Sequence, residues 1–318
     1  MGMYYGEESG LPLYYRIYPG SISDKTHLKY MVADNAFING KRTRFVMDRG
    51  FYSRENLQYL TESGYRFVIA LPDSLKYCRE LVSEHGAEIV NHSEFLLGPG
   101  LPYGKSYESM ALGFRMKIHL YYDPEKALRE TSALYALLNA QENDLKSMEE
   151  PPDKSLHYDK YFYINRSKDG KLGYIRNFKA IDEALKYCGF FLIAETDFKK
   201  TTAEILDIYR CRDTIEKSFD GLKNGLDMKR LHIHTSETAQ GKVFVSFLSL
   251  IVRAYLLRQL KDYMRQNGLT LKKILLELDK IKTIQYPGSD EERLLNPLTK
   301  RQREIYELLE IPVPGCIG

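Results

Sequence analysis

Thr43-Arg-Phe-Val-Met47 is a short run rich in β-forming residues, and Asp48-Arg-Gly-Phe-Tyr-Ser53 follows it directly. Ser53 is a favourable N-cap for a helix that would end at Gly64, and residues 65–71 form a second apolar run. A strand, a helix and a strand in succession predict two parallel strands of one sheet. The stretch therefore predicts an α/β fold.

Asp48 stands at the carboxyl end of the first of these strands. Open α/β sheets bind their ligands at the carboxyl ends of parallel strands, and Gly50 would allow backbone to approach closely there. Asp48 is therefore a candidate catalytic residue and metal ligand. The alternative is structural, because an aspartate in this place can also start a turn or form a salt bridge with Arg49.

A second candidate site lies on a helix predicted over residues 201–224. The helical period places one carboxylate, two cations and one aromatic ring on a narrow face: Tyr209, Arg212, Glu216 and Lys223. This set suits an oxygen-ligated divalent metal that acts on a phosphodiester, because the metal prefers carboxylate and the phosphate backbone prefers Arg and Lys. The alternative is a solvated amphipathic helix with charge pairs four residues apart.

Further elements are predicted on both sides of these segments. A hairpin (3–6 and 13–18) and a helix (24–37) come first. A separate module follows, with a helix (74–83), a loop rich in Gly and Pro, a strand (114–122), a helix (124–150), a hairpin (161–165 and 172–175) and a strand (189–195). Helices over residues 237–267, 272–279 and 299–309 end the chain. We expect a core in two parts (1–72 and 198–265), an insertion domain (73–197) and a C-terminal helical region (266–318).

Gly104-Lys105-Ser106 resembles the end of a phosphate-binding loop. That motif requires Gly five positions before Gly104, and Pro99 stands there. A nucleotide-binding loop is therefore not predicted.

Composition bounds the function without deciding it. Lys and Arg number 46 against 43 Asp and Glu, so nucleic-acid binding must come from local clusters such as Lys229-Arg230 and not from bulk charge. The cysteines lie too far apart for a Cys-x-x-Cys metal site. The longest apolar run, residues 243–252, is about half of the ~20 residues that a membrane span needs, so we expect a buried helix and no membrane association.

Three segments of the chain resemble the DDE transposases of the IS4-type insertion sequences. They are Leu13-Tyr-Tyr-Arg-Ile-Tyr-Pro-Gly-Ser-Ile-Ser-Asp24, Phe45-Val-Met-Asp-Arg-Gly-Phe-Tyr-Ser53 and the pattern Tyr209-x2-Arg212-x3-Glu216-x6-Lys223. The resemblance extends to about Leu260. It implies an RNase H-like mixed sheet with flanking helices, a β-rich insertion before the acidic helix, and a helical C-terminus.

The resemblance also implies a function and a site. Asp48 and Glu216 would be catalytic and would bind Mg²⁺ or Mn²⁺ in a two-metal site that cleaves and transfers DNA strands at transposon ends. DNA would be held by Tyr209, Arg212 and Lys223, with Arg210, Lys229 and Arg230 beside them. The expected location is the prokaryotic cytoplasm, at the nucleoid.

In the family a further aspartate lies on a strand upstream of the hairpin that opens this chain. We therefore expect an N-terminally truncated transposase with an incomplete metal site, inactive alone, which forms a homodimer or associates with full-length transposase. One alternative is a non-catalytic DNA-binding or regulatory fragment. Another is a standalone RNase H-like nuclease.

Overall fold

The structure is a computed structural model. It describes residues 2–6, 9–18, 24–35, 43–148, 150, 157–166, 172–212, 235–285 and 293–313. The chain divides into two compact units: residues 23–210 form one, and residues 1–22 with 211–318 form the other.

The strands in chain order are β1 (Gly2–Tyr5), β2 (Pro12–Arg16), β3 (Arg44–Met47), β4 (Arg66–Ala70), β5 (Tyr103–Ser109), β6 (Met116–Tyr122), β7 (Phe162–Arg166), β8 (Leu172–Arg176), β9 (Phe190–Glu195), β10 (Thr283–Gln285) and β11 (Arg293–Leu295). The helices are α1 (Asp24–Asn35), α2 (Arg54–Glu62), α3 (Lys76–Asn91), α4 (Pro124–Ser147), α5 (Phe178–Lys186), α6 (Thr202–Arg210), α7 (Ser236–Gln259), α8 (Lys261–Asn267), α9 (Leu271–Leu278) and α10 (Lys300–Leu308).

A five-stranded mixed sheet in the order β3-β4-β9-β6-β5 organises the unit of residues 23–210. β3 and β4 are parallel, as the sequence predicts, with Val46 opposite Val68. β9 is the last of the five along the chain, yet it lies in the centre and pairs antiparallel with both β4 and β6. The α/β prediction is confirmed, and the RNase H-like description stays a prediction.

The two faces of this sheet carry different helices. α2 contacts β4, and α3 contacts β5, β6 and β9, whereas α6 contacts β3, β4 and β5. Successive side chains of a strand point to opposite faces. Phe190 packs on α3 at Gly86, and Ile193 belongs to the apolar cluster of α6. The sheet is therefore a middle layer, with α3 and α6 on opposite faces.

A smaller apolar cluster lies where α4 meets the β7-β8 hairpin and α5. Its fully or nearly buried members include Leu138, Leu145, Phe162 and Ile181. The hairpin pairs antiparallel, as predicted, with Ile164 opposite Tyr174. This cluster is separate from the cluster of the sheet under α6.

The second unit contains the β1-β2 hairpin, which the sequence also predicts, and α7. The rings of Tyr15 and Phe247 are 4.7 Å apart, which joins β2 to α7. C-terminal to α7, one apolar cluster gathers side chains from α9 and α10, among them Ile274 and Ile305.

Only one face of α7 is buried, so the prediction of a buried helix over residues 243–252 is wrong for the other face. Val243 and Leu250 are buried, but Val245 and Val252 are 61% and 57% exposed. By length and composition alone, residues 237–259 form a helix that could cross a membrane, a weak criterion that core helices of soluble proteins also meet.

The structure differs from the predicted elements in several places, one of which is the unpredicted strand pair β10 and β11. β5 lies where a loop is predicted, and α5 was not predicted. α3 continues to Asn91, and within it Gly86 leaves room for the Phe190 ring. The helix predicted over residues 237–267 is broken at Leu260, which caps both α7 and α8.

Strands β5, β6 and β9 fall within the predicted insertion, and they share one sheet with β3 and β4. The sheet is thus continuous across the expected boundary at residue 72. The four expected domain ranges stay a prediction.

Two leucines test this core. Leu120 in β6 is fully buried, whereas Leu128 in α4 is 70% exposed. We expect Leu120→Ala to lower the free energy of unfolding by about 2–5 kcal/mol and Leu128→Ala by about 0.5 kcal/mol or less. Urea unfolding of both variants measures the difference, and equal losses would contradict the assignment of β6 to the core.

Candidate functional site

Asp48 lies at the carboxyl end of β3, where it begins a short 3-10 helix, Arg49–Phe51. Its Oδ1 accepts a hydrogen bond of 2.8 Å from the Gly50 backbone N–H. A Cβ at position 50 would stand 2.9 Å from that oxygen, so glycine suits the turn. Asp48 therefore does start a turn, as the structural alternative proposed. A carboxylate offers about four acceptor positions, and this bond occupies one of them.

The segment after Asp48 is held by the buried side chain of Asn56. Its Nδ2 donates to the carbonyl of Phe51 at 3.1 Å and to that of Lys25 at 2.8 Å, which ties the turn to α1. Ser53 caps α2 by accepting from the Asn56 N–H, as predicted. The loop that presents Asp48 is thus anchored on two helices.

Two exposed cations flank this loop, Arg49 within the turn and Arg54 in the first turn of α2. From the sequence, Arg49 is expected only as a salt-bridge partner of Asp48, and no role is predicted for Arg54. The local signal was present, since both arginines stand within six residues of Asp48. Exposed arginines beside a carboxylate can contact the phosphate groups of a nucleic-acid backbone while the carboxylate faces a phosphodiester bond.

α6 crosses the sheet from β5 to β3. Its Ile205 and Leu206 are buried on the sheet, and Tyr209 packs in the same apolar cluster as Val46 of β3. Val46 stands two residues before Asp48. The structure therefore brings the carboxyl end of α6, with Tyr209 half-buried and Arg210 exposed, to the strand that carries Asp48.

Of the remaining predicted site residues, the structure describes only Arg212. α6 ends at Arg210, and Cys211 and Arg212 form a turn. A single helix over residues 201–224 is therefore wrong, and the weak helix propensity of Cys, Asp and Thr at positions 211, 213 and 214 accounts for the end. Outside the described residues lie Glu216, Lys223, Lys229 and Arg230. The roles predicted for these residues, and for Arg212, stay predictions.

A buried polar network anchors the other end of α6. Glu195, the last residue of β9, and His119 of β6 are both fully buried. Glu195 accepts hydrogen bonds from the backbone N–H groups of Asp197 and Phe198. His119 Nδ1 lies 3.2 Å from Thr202 Oγ1, and its Nε2 lies 3.7 Å from Glu195 Oε1. A second bond to α6 comes from the Tyr121 hydroxyl, which donates to the Thr202 carbonyl at 2.8 Å.

The protonation states of this network follow from burial and from its hydrogen bonds. Burial lowers the pKa of His119 below its ordinary 6.5, although the Glu195 carboxylate opposes the effect. Burial raises the pKa of Glu195, but His119 and the two backbone N–H groups together bring it below its ordinary 4.5. The 3.7 Å separation of Nε2 and Oε1 exceeds a hydrogen bond, so we assign most of the carboxylate's stabilisation to the backbone donors. At neutral pH His119 is neutral and Glu195 is ionised.

The connection between β9 and α6 is also tied to the sheet. Lys117 Nζ donates to the carbonyls of Phe198 and Lys200 at 3.2 and 3.4 Å. Phe198 has a φ of 58°, an unfavourable region for a bulky residue, and Glu195 and Lys117 bond to both of its backbone polar groups. Thr201 and Glu204 cap α6 reciprocally.

Among the described residues, no group of three or more His, Cys, Asp and Glu side chains is placed to hold a metal ion. Asp48 fits one oxygen ligand of a divalent metal by its chemistry and its place at the sheet edge. The second predicted ligand, Glu216, lies outside the described residues.

Comparison with known proteins identifies one family. Residues 2–252 match the family model described as a transposase DDE domain. A search of curated proteins found no match, and a search of solved structures found none. The matched range covers most of the chain and includes Asp48 and the whole of α6.

The buried network predicts how stability depends on pH. Because the folded-state pKa of His119 lies below 6.5, the unfolded chain takes up this proton first, and stability falls as the pH drops below about 6.5. The lowered pKa of Glu195 adds a further loss below about 4.5. We expect the melting temperature to decline from pH 7 to pH 4 and His119→Asn to flatten the upper part of the decline. An unchanged profile in His119→Asn would contradict the assignment.

Proposed function

The chain belongs to the transposase DDE domain family, and we propose that it is the transposase of an IS4-type insertion sequence that cleaves and transfers DNA strands at the element's ends in a metal-dependent reaction. Family membership makes it a transposase of a mobile element, a protein of DNA transposition and recombination that binds DNA. One observation carries the finer proposal: Asp48 stands at the carboxyl end of β3, and α6 reaches that strand with Tyr209, one residue before Arg210.

We assign the catalytic carboxylates to Asp48 and Glu216. Mg²⁺ or Mn²⁺, when bound by these two residues, would stabilise negative charge on the phosphodiester oxygens. The Gly50 N–H fixes one oxygen of Asp48, so the carboxylate is oriented before the DNA arrives. Pre-orientation of this kind supports a catalytic role beside the structural one.

DNA binding is assigned to the cations and the tyrosine around this sheet edge. The turn and α2 contribute Arg49 and Arg54, and the predicted motif contributes Tyr209, Arg210, Arg212, Lys223, Lys229 and Arg230. Such contacts fix the register of the duplex and carry little sequence information. The protein would act on DNA of the prokaryotic nucleoid, in the cytoplasm, as a homodimer or together with another transposase chain.

A second candidate function is a DNA-binding or regulatory role without cleavage. The observation that favours it is the bond between Asp48 Oδ1 and the Gly50 N–H, which gives this aspartate a structural role of its own. DNA binding without metal-dependent nicking would support this function against the first.

Asp48→Asn separates the two functions. The Asn side chain retains an oxygen that can accept from Gly50 but loses the charge that a metal needs, so the turn should persist. We expect nicking of DNA that carries the element's ends, in Mg²⁺ or Mn²⁺, to fall at least about 100-fold while DNA affinity is retained. The control is Asp182→Asn in α5, at an exposed position, which should nick as the wild type does. Undiminished nicking by Asp48→Asn would exclude Asp48 as a catalytic residue.

Salt dependence tests the two arginines at the turn. Each phosphate contact that is lost should lower the slope of log affinity against log salt by about one. We expect this change in Arg49→Ala and in Arg54→Ala. Arg129→Ala is the control, because that arginine is exposed on α4 and pairs with Glu125. If both arginine variants kept the wild-type salt dependence of affinity, DNA would bind elsewhere on the protein.

A further inference from the structure

We propose that His119 is a positioning residue that sets the angle at which α6 crosses the sheet, and thereby holds Tyr209 and Arg210 at the strand of Asp48. His119 lies in the middle of β6, buried beneath the start of α6, and it is remote in sequence from every predicted site residue. The consequence for catalysis rests on the proposed function, whereas the positioning itself can be measured without it.

The first step is a two-point attachment of Thr202, the first residue of α6. His119 Nδ1 lies 3.2 Å from its hydroxyl oxygen, and the Tyr121 hydroxyl donates to its carbonyl at 2.8 Å. His119 and Tyr121 are two residues apart in β6 and point to the same face. A helix held at one residue through both its side chain and its backbone cannot rotate freely about either contact.

The second step is the close packing of α6 against the sheet. A Cβ at position 104 of β5 would stand 2.9 Å from Thr202 Cγ2 and 2.9 Å from the Tyr121 ring. Glycine at this position therefore lets Thr202 come down to the level of the sheet, where His119 can reach it. The Gly-Lys-Ser run that resembled a phosphate-binding loop has this packing role in β5.

The third step concerns the tautomer of His119. The ionised Glu195 carboxylate lies 3.7 Å from Nε2, and its charge favours a proton on that nitrogen. Nδ1 is then the acceptor, and the Thr202 hydroxyl donates to it. Because the backbone N–H groups of Asp197 and Phe198 fix Glu195, the direction of this hydrogen bond is set by the turn that leads into α6.

A small change in the tilt of α6 at Thr202 produces a larger displacement at the far end of the helix. Thr202 and Arg210 are about 12 Å apart along α6, at 1.5 Å per residue. A tilt of about 5° at the start would therefore displace Arg210 by about 1 Å, and a displacement of that size can cost about 100-fold in rate. The anchor thus controls the alignment of Tyr209 and Arg210 with the Asp48 strand.

Matched variants isolate the hydrogen bond from the packing. His119→Asn places an amide near the position of Nδ1 and can still bond to Thr202, whereas His119→Leu fills similar space without a polar atom. At the other end of the bond, Thr202→Ser retains the hydroxyl and Thr202→Val replaces it with a methyl group. Ile89→Val, on the α3 side of the sheet, controls for a general loss of stability, since Ile89 is fully buried in that helix.

The position of α6 can be measured with two spin labels on the full chain. Cysteines replace the exposed Asp207 on α6 and the exposed Gln58 on α2, with serine at Cys188, Cys211 and Cys316. Double electron–electron resonance then gives the distribution of distances between the two labels. We expect His119→Leu and Thr202→Val to shift or broaden it, and His119→Asn, Thr202→Ser and Ile89→Val to leave it unchanged. An unshifted distribution in both His119→Leu and Thr202→Val would overturn the proposal.

Nicking kinetics provide the second measurement. We expect His119→Leu to lower kcat about 100-fold with little change in KM, and His119→Asn to restore most of the rate. If His119→Leu and Ile89→Val both lost rate in proportion to the fall in their melting temperatures, the role of His119 would be merely structural, and the proposal would be overturned. If the wild-type chain does not nick DNA, the proposed function fails, and the label distances still decide the inference.

Discussion

The buried carboxylate of Glu195 is the constraint on which the arrangement around α6 depends. An ionised group without exposure must receive hydrogen bonds from nearby donors, and the backbone N–H groups of Asp197 and Phe198 supply them. These bonds turn the chain sharply at the end of β9, with Phe198 in the left-handed region, and direct it into α6. This turn places the start of α6 above β6, where His119 and Tyr121 contact Thr202.

Short-range patterns in the sequence predicted much of the fold and the position of Asp48 in the candidate site. The β3-α2-β4 unit was predictable because its cap, its terminating glycine and its two apolar runs all lie within 30 residues. β5 was not, because Gly104 and the nearby prolines indicate a loop when read locally, whereas the close packing of Thr202 and Tyr121 explains the glycine. The place of Asp48 at a strand end was predicted, whereas its bond to Gly50 depends on the turn that forms after it.

The His119–Glu195 network was missed for a different reason. β6 itself was predicted, and along it Lys117, His119 and Tyr121 alternate with buried apolar residues, which indicates one polar face. The partner of that face comes from β9 and α6, far along the chain, and alternation does not identify it. The single helix expected over residues 201–224 is wrong because its prediction used only the spacing of side chains on one helical face. That spacing continues along the sequence past Arg210, where the helix ends.

The order of strands in the main sheet has a consequence for synthesis on the ribosome. β9 completes the sheet from its centre, but β3, β4, β5 and β6 all emerge before it. Until β9 arrives, the nascent chain contains two separate strand pairs, and the edges of β4 and β6 that β9 will pair with are open. Contacts that close so late in sequence are slow to form, and the two waiting edges can bind other chains. We therefore expect this protein to engage chaperones during translation and to aggregate when the chain stops short of β9.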